Sequence, residues 1–286
     1  MTIQFKKIGK TFVAIAQGID LRQPIQNEDI QAIEKGLATF GVVVFKNQPL
    51  DEQQQDTFIR RFGPGRNGTF KEIAGNNPNF IDVGTVDDLG NPIPPDSLRA
   101  EYLLANQLWH TDGSFNKRPI RITALLAREL PPIPPPTEFA DMRSAYQDLS
   151  KIQKEEFIKL KVVHSVLRSR EQIGMSIEKF STDTVNLLPP VEHSLVREHP
   201  YNKLNSLYIA SHASHIVGWP LEKGRTLIKD LIDFSTQTKY TYSHDWDLHD
   251  FVMWDDRWTM HRATPYSGPH PRKMRQCAVF ETEDIF

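Results

Sequence analysis

Cysteine is almost missing from this chain: Cys277 is the only one among 286 residues. A single thiol closes no intramolecular disulfide and leaves no cysteine-rich zinc site, so a reduced, cytoplasmic setting is expected. An excess of either charge is missing too. Lysine and arginine number 34 against 36 aspartates and glutamates, giving a net charge of -2. That balance supplies no electrostatic footprint for nucleic acid or for an anionic membrane. No segment approaches the roughly 18 consecutive apolar residues of a membrane span. The opening "MTIQFKKIGKTFVAIAQ" has lysines but no uninterrupted apolar stretch of the kind a secretory leader carries. No repeat recurs at 20 to 50 residues, which excludes solenoids and propellers. With 39% hydrophobic residues, what remains is a soluble chain with material for its own core and a small molecule as its expected partner.

Periodicity places the elements. "NEDIQAIEKGLATFG" puts Ile30, Ile33 and Leu37 on one helical face, with Asn27 as N-cap and Gly41 as stop. "VVVF" reads as a short buried strand, and "LDEQQQDTFIRRFG" as a second helix. In that helix Asp51 precedes Gln54 by three, close to a capping box, and Phe58 and Phe62 share the inner face. "RITALLAREL" is a strand followed by the stiff turn "PPIPPP". Helices are expected at "SKIQKEEFIKLK" and at "PLEKGRTLIKDLIDFS", the latter with Leu227, Leu231 and Phe234 on one face. Strands are expected at "TFVAIAQGIDL", "NSLYIA", "KYTYSHDW", "DFVMWDDRWTMH" and "KMRQCAVFE".

Many short strands with helices inserted outside them indicate a β-sandwich or jelly roll of the α+β class, in one domain over 1–286. Residues 63–105 are rich in Gly, Pro, Asn and Asp. That stretch is the candidate lid over a site, because long loops in compact domains usually carry function.

The chemistry begins with "QLWHTDGSF". In a strand, residues two apart project to one face, so His110 and Asp112 would both reach one ion. A neutral imidazole with a hard carboxylate suits a divalent metal of mixed nitrogen and oxygen preference. "MWDDRWTMHRATPY" supplies His261 as a third donor, and two histidines with one carboxylate form the facial triad of non-haem Fe(II) oxygenases. Taken singly, His261 reads equally well as a buried histidine satisfied by a carbonyl. Eleven positions on, Arg272 opens the next strand after a Pro-containing turn. Arginine grips the far end of a dicarboxylate bidentately, as lysine does not. Trp109, Trp219, Trp254 and Trp258 are candidates for an aromatic wall, although Trp109 and Trp254 sit in apolar runs that suit a core.

His110-x-Asp112, His261 and Arg272, with Thr137 in "PTEFADMRSAY", resemble the Fe(II)/2-oxoglutarate-dependent dioxygenases of the taurine and 2,4-dichlorophenoxyacetate dioxygenase family. The likeness runs from "GIDLRQPI" and "VVVFKNQPL" through "LYIASHASHIVGWPLEKGR" to the last strand, and "TEFADMR" and "ASHASH" bring it nearest the phenoxyacetate branch.

The resemblance implies a double-stranded β-helix, a cupin-like jelly roll with flanking helices, and three reactants beside the substrate: Fe(II), 2-oxoglutarate and O2. It implies that His110, Asp112 and His261 hold the iron, and that Arg272 and Thr137 bind the distal carboxylate of 2-oxoglutarate, with Asn106 beside it. The implied reaction hydroxylates a C–H bond of a small, carboxylate-bearing molecule and releases succinate and CO2. With Asp112 present, hydroxylation is favoured over halogenation. Association into homo-oligomers is common among such relatives.

One position departs from the pattern. Where the family carries a second arginine for the substrate anion, this chain has Gln276. Arg275 is adjacent, but one step along a strand points to the opposite face. Arg275, Lys71, His212, His215 and Arg99 are therefore candidate replacement anchors. The departure also leaves open a tailoring oxygenase of an amino acid or specialised metabolite, a sulfonate dioxygenase, and a binding protein without turnover.

Overall fold

The computed structural model of the chain describes residues 3–10, 12–66, 77–87, 89–176, 186 and 188–282. Among these, seven strands form the larger sheet. Their spatial order is β1 (Gln4–Lys7), β2 (Ala14–Gln17), β3 (Val42–Phe45), β13 (Phe251–Asp255), β5 (Ile120–Glu129), β15 (Lys273–Phe280) and β4 (Ile81–Gly84). Its pairings are antiparallel except that of β2 with β3. A second sheet pairs β12 (Thr241–His244), β6 (Thr137–Asp141) and β14 (Thr259–Ala263).

Because side chains alternate along a strand, each central strand of the larger sheet feeds two cores. Val43, Phe45, Ile122, Ala124, Leu126, Phe251, Met253, Cys277 and Val279 pack against helices α1 (Asn27–Phe40) and α2 (Glu52–Ile59). Their neighbours Val42, Val44, Leu125, Ala127, Val252, Trp254 and Met274 meet Phe139 of β6 and Trp246 instead. The larger sheet thus has helices on one face and the second sheet on the other. Between the two sheets lies the volume in which polar residues of β5, β6, β14 and β15 converge.

A third core joins α4 (Met142–Gln147), α5 (Lys151–Phe157) and α7 (Leu221–Ser235) to two small sheets, β7 (Lys161–His164) with β8 (Val191–Ser194) and β11 (Ala213–Ile216), and β9 (Val196–Glu198) with β10 (Asn205–Leu207). On α7 the fully buried positions are Gly224, Ile228, Leu231 and Ser235. The expected Leu227 and Phe234 are partly buried beside them.

Local chemistry sets several boundaries. Asp51 and Gln54 form the complete capping box of α2. Gly41 ends α1 at φ +73°, its N–H donating to the Leu37 carbonyl. Asn27 is the first residue of α1 and not its cap, because its side-chain oxygen accepts from Arg61 at 2.6 Å. The segment "DFVMWDDRWTMH", read above as one strand, is two strands that belong to different sheets. Asp255 holds the corner between them, accepting from Arg257 Nε at 2.8 Å and pairing with His199 at 3.0 Å. Burial alone would raise its pKa, but Arg257 and His199 overcome that and hold it well below the usual carboxylate range. Among the described residues no helix is long and apolar enough to cross a membrane.

Candidate active site

His110 does not lie in a strand, as the alternation argument assumed. It forms an isolated antiparallel bridge with His261 of β14: His110 N–H donates to the His261 carbonyl at 2.9 Å, and the reverse bond is 2.7 Å. The chain then turns, and Asp112 reaches the histidines through that turn. Gly113 permits it with φ +61°; a Cβ there would stand 2.7 Å from Ile120 Cγ1. The histidine rings lie 4.1 Å apart. Asp112 Oδ1 is 3.8 Å from His110 Nε2, and Asp112 Oδ2 is 3.9 Å from His261 Nε2. All three donor atoms fall within 4.8 Å of one another.

The protonation states suit a cation. His110 Nδ1 bonds the Leu108 carbonyl at 2.7 Å, which places the proton there and leaves the Nε2 lone pair toward Asp112. Burial lowers the His110 pKa, and burial with His110 beside it takes His261 to about 3. Both rings are therefore neutral, the form that ligates metal.

Partly buried Asp112 stands in front of a fully buried second carboxylate, Asp256, which the sequence reading did not single out. Its one visible signal was a carboxylate doublet inside the apolar run "MWDDRW". Asp256 Oδ1 accepts the Asp112 N–H at 2.9 Å and Trp254 Nε1 at 3.1 Å. Thr123 Oγ1 lies 2.7 Å from Asp256 Oδ2 and 3.0 Å from Asp112 Oδ2. Burial raises the Asp256 pKa, and the adjacent Asp112 raises it further. For Asp112, burial works upward, but His261, His110, Arg66 and the Thr123 hydroxyl bring it below its ordinary value. Asp256 thus keeps the proton and Asp112 the charge. A hydroxyl has one hydrogen, so Asp256 donates to Thr123 and Thr123 donates to Asp112. Thr123→Val breaks this chain while conserving volume; metal affinity is expected to fall about ten- to a hundredfold, measurable by competitive chelation.

Arg272, just before β15, is 7% exposed, and among the described residues its Nε has no partner. Burial, the sole cause acting on it, lowers its pKa to about 10. Thr137 lies on β6 two residues before Phe139, the residue paired with His261. It therefore shares the face of the second sheet that carries His261. Its Oγ1 accepts from Trp246 Nε1 at 3.0 Å, which orients the hydroxyl. Asn106 lines the pocket beside His110 and Asp112, and its carbonyl accepts from Ala263 N–H.

Comparison with known proteins places the chain in a family. The family described as "Taurine catabolism dioxygenase TauD, TfdA family" matches residues 4–278. The chain is 34% identical over 285 residues to an alpha-ketoglutarate-dependent 2,4-dichlorophenoxyacetate dioxygenase of Burkholderia sp. strain RASC, covering 98% of this chain and 95% of the relative. A protein of the same description from Cupriavidus pinatubonensis is 33% identical, with 98% and 99% covered. The crystal structure of AAD-2 in complex with Mn(II) and N-oxalylglycine superposes with a TM-score of 0.90 at 35% identity, covering 100% of this chain and 99% of that one. The chain belongs to the TauD/TfdA dioxygenase family.

Within this TauD/TfdA member the substrate side departs from the sequence expectation. Gln276 does face the metal-ligand candidates, but its Nε2 donates to Asp112 Oδ2 at 2.9 Å and its Oε1 accepts from Arg66 at 3.0 Å. It is a clamp on the carboxylate. Arg275 lies on the other face of β15, where no bulge intervenes between 275 and 276. It bonds Gln55 Oε1 at 2.7 Å and the Leu50 carbonyl at 2.8 Å, so it belongs to the helix-covered core and not to the pocket. His215 likewise sits on β11 beside Ser214, away from the pocket. Arg99 donates to the Asp82 carbonyl at 3.3 Å, and Lys71 lies outside the described residues.

His212 does line the pocket, its ring 6.5 Å from that of His110 and 4.8 Å from that of Phe115. Burial and the nearby Arg170 push its pKa well down, so it is uncharged. The expected tryptophan wall is replaced by Tyr102 and Phe115. Trp254 and Trp258 are fully buried, while Trp109 and Trp219 pack on the third core. Two further wall residues, Arg66 and Arg170, escaped sequence reasoning. Arg170 lies with Val166 and Ser169 on the buried face of α6 (Val166–Glu171), a placement that the local sequence does not signal.

Proposed function

We propose that this chain is an Fe(II)- and 2-oxoglutarate-dependent dioxygenase that hydroxylates a C–H bond of a small carboxylate-bearing molecule of the aryloxyalkanoate type. The observation that carries the reading is the convergence of a neutral His110, an ionised Asp112 and a neutral His261, in a chain that also buries Arg272 with no carboxylate partner among the described residues. The first three would hold the metal, leaving its remaining positions for a keto acid and O2. Arg272 and Thr137 would bind the distal carboxylate of the keto acid. Bound together, iron and 2-oxoglutarate supply oxidising power from O2, with succinate and CO2 as by-products.

The protein's own residues do the rest. Thr123 and Gln276 fix Asp112 Oδ2, so the carboxylate meets the metal in one orientation. The Leu108 carbonyl fixes the His110 tautomer. Asn106 borders the cosubstrate. The two facing sheets form the double-stranded β-helix of a single catalytic domain over 1–286. Its lid is the 63–105 segment, of which Arg66, Ile81, Tyr102 and Ala105 reach the pocket, while 67–76 and 88 lie outside the described residues.

The substrate class is supported by the 2,4-dichlorophenoxyacetate activity named for both relatives. If the attacked carbon bears an ether oxygen, the hydroxylated product is a hemiacetal, which collapses to an alcohol or phenol and an aldehyde acid. Anaerobic titration with Fe(II) and then 2-oxoglutarate should produce a visible charge-transfer band, and admission of O2 with an aryloxyacetate should release succinate. Absence of both, with bound iron verified, overturns the assignment in favour of a binding protein without turnover.

A further inference from the structure

Gln276 removes the strand-borne arginine from this pocket, yet the pocket is not short of positive charge. Arg170 is 5% exposed and Arg66 is 7% exposed, and both line the cavity that contains His110 and Asp112. Arg170 reaches it from α6, on the side of His212. Its bonding is sparse: Nη1 donates to Ser169 Oγ at 2.9 Å, and the guanidinium lies 5.0 Å from the centre of the Tyr102 ring. Among the described residues no carboxylate pairs with it. Arg66 lines the same cavity, with one Nη held by Gln276 Oε1 at 3.0 Å and an Nε that has no partner among the described residues.

A guanidinium withdrawn from water without a counter-charge is costly, and natural proteins keep one where an anion arrives to meet it. Arg66 faces the charge of Asp112, but Arg170 has no carboxylate partner among the described residues, and Asp112 already receives bonds from Thr123 and Gln276 and takes the metal. Arg275 is turned away, and His212 is neutral and offers no charge.

We propose that Arg170, with Arg66 in the same cavity, is the anchor for the substrate's carboxylate, replacing the arginine whose place Gln276 occupies. This rests on the oxygenase reading above and adds to it which residues select the substrate. Arg170 presents its fork to a planar carboxylate in bidentate fashion. Tyr102 and Phe115 flank the remainder of the molecule, which is therefore apolar or aromatic. Gln276 gains a double purpose: it ties Arg66 to Asp112, so that the anchor and the metal ligand are set in one geometry.

The experiment uses Fe(II)-loaded enzyme, 2-oxoglutarate and a panel of aryloxyacetates, their neutral aryloxyethanol counterparts, and alkyl sulfonates. Substrate-stimulated succinate release is measured for wild type, Arg170→Gln, Arg170→Lys and Arg66→Gln. For the aryloxyacetates, Arg170→Gln should raise KM about ten- to a hundredfold with a smaller change in kcat. Lysine should restore part of the loss, Arg66→Gln should give a smaller rise, and the neutral counterparts should be indifferent to both Arg170 variants. The charge-transfer band formed with 2-oxoglutarate alone, before any substrate, shows that each variant is folded and loaded.

If wild type forms no such band, the oxygenase reading itself fails. If the band forms and no carboxylate in the panel is accepted, the anchor proposal fails alone. It also fails if carboxylates are accepted with KM unmoved by both Arg170→Gln and Arg66→Gln. Should Arg170→Gln not fold, Arg170→Lys and Arg66→Gln carry the test, and an unchanged KM in both is the overturning result.

Discussion

Asp112→Ala is expected to lower succinate formation about a thousandfold or more and to leave the purified protein with little bound iron. Asp112 is the anionic member of the His110, Asp112 and His261 set, and the histidines beside it are held neutral by burial. Removing it takes away both a donor and the charge that partly neutralises a divalent ion. An interaction of this kind is worth several kcal/mol, and about 1.4 kcal/mol corresponds to each factor of ten.

The substitution also strips an acceptor from Thr123 and from Gln276 Nε2, both buried. Leaving them unpaired costs about 1 to 3 kcal/mol each. Against that, Asp256 loses the neighbouring charge that helps to keep it protonated. Asp112→Asn preserves shape and separates the loss of charge from the loss of volume. Metal content by elemental analysis and succinate release under O2 measure the outcome. Retention of a tenth of wild-type turnover in both variants is incompatible with Asp112 as a ligand.

Arg272→Gln should act in opposite directions on two measurements. Half-saturating 2-oxoglutarate is expected to rise about thirty- to a thousandfold, because truncating one partner of a buried charged pair costs about 2 to 4 kcal/mol. Without cosubstrate the variant should be more stable than wild type. Arg272 is 7% exposed, its Nε is unpaired, and burial alone displaces its pKa. Among the described residues nothing offsets its charge in the apo protein. Relief of even about 1 kcal/mol raises Tm by about 2 °C or more in a chain of this size. Adding 2-oxoglutarate should then raise the melting temperature of wild type and leave the variant nearly unmoved. A variant less stable than wild type, with unchanged 2-oxoglutarate dependence, would make Arg272 a structural residue.

The elements that sequence made legible are those whose determinants are close along the chain. Asp51 and Gln54 are three residues apart, and the capping box they suggested is complete. Gly41 ends its helix, and the long strand "RITALLAREL" is β5. The metal-ligand candidates were legible as residue types, yet the reason offered for their convergence was wrong: a bridge to His261 and a turn at Gly113 bring Asp112 into place, not strand alternation. The segment "DFVMWDDRWTMH" misled because its apolar pattern is continuous. The contacts of Asp255 with Arg257 and His199 that break it reach across 2 and 56 residues.

By itself the sequence determined the chemistry available: a facial set of two imidazoles and one carboxylate, an arginine for a dicarboxylate, and no disulfide or span. It also marked "VVVF" as a buried strand, since that run is apolar at every position. Only the tertiary structure decided what Gln276, Arg275 and Arg170 do. Neighbours on β15 diverge, so Gln276 meets Asp112, 164 residues away, while Arg275 meets Gln55, 220 residues away. Arg170 reaches the same pocket from a helix that no local pattern ties to it. The physical reason is that a charged side chain takes its meaning from the partners it meets in a low-dielectric space, and those partners are chosen by the packing of two sheets.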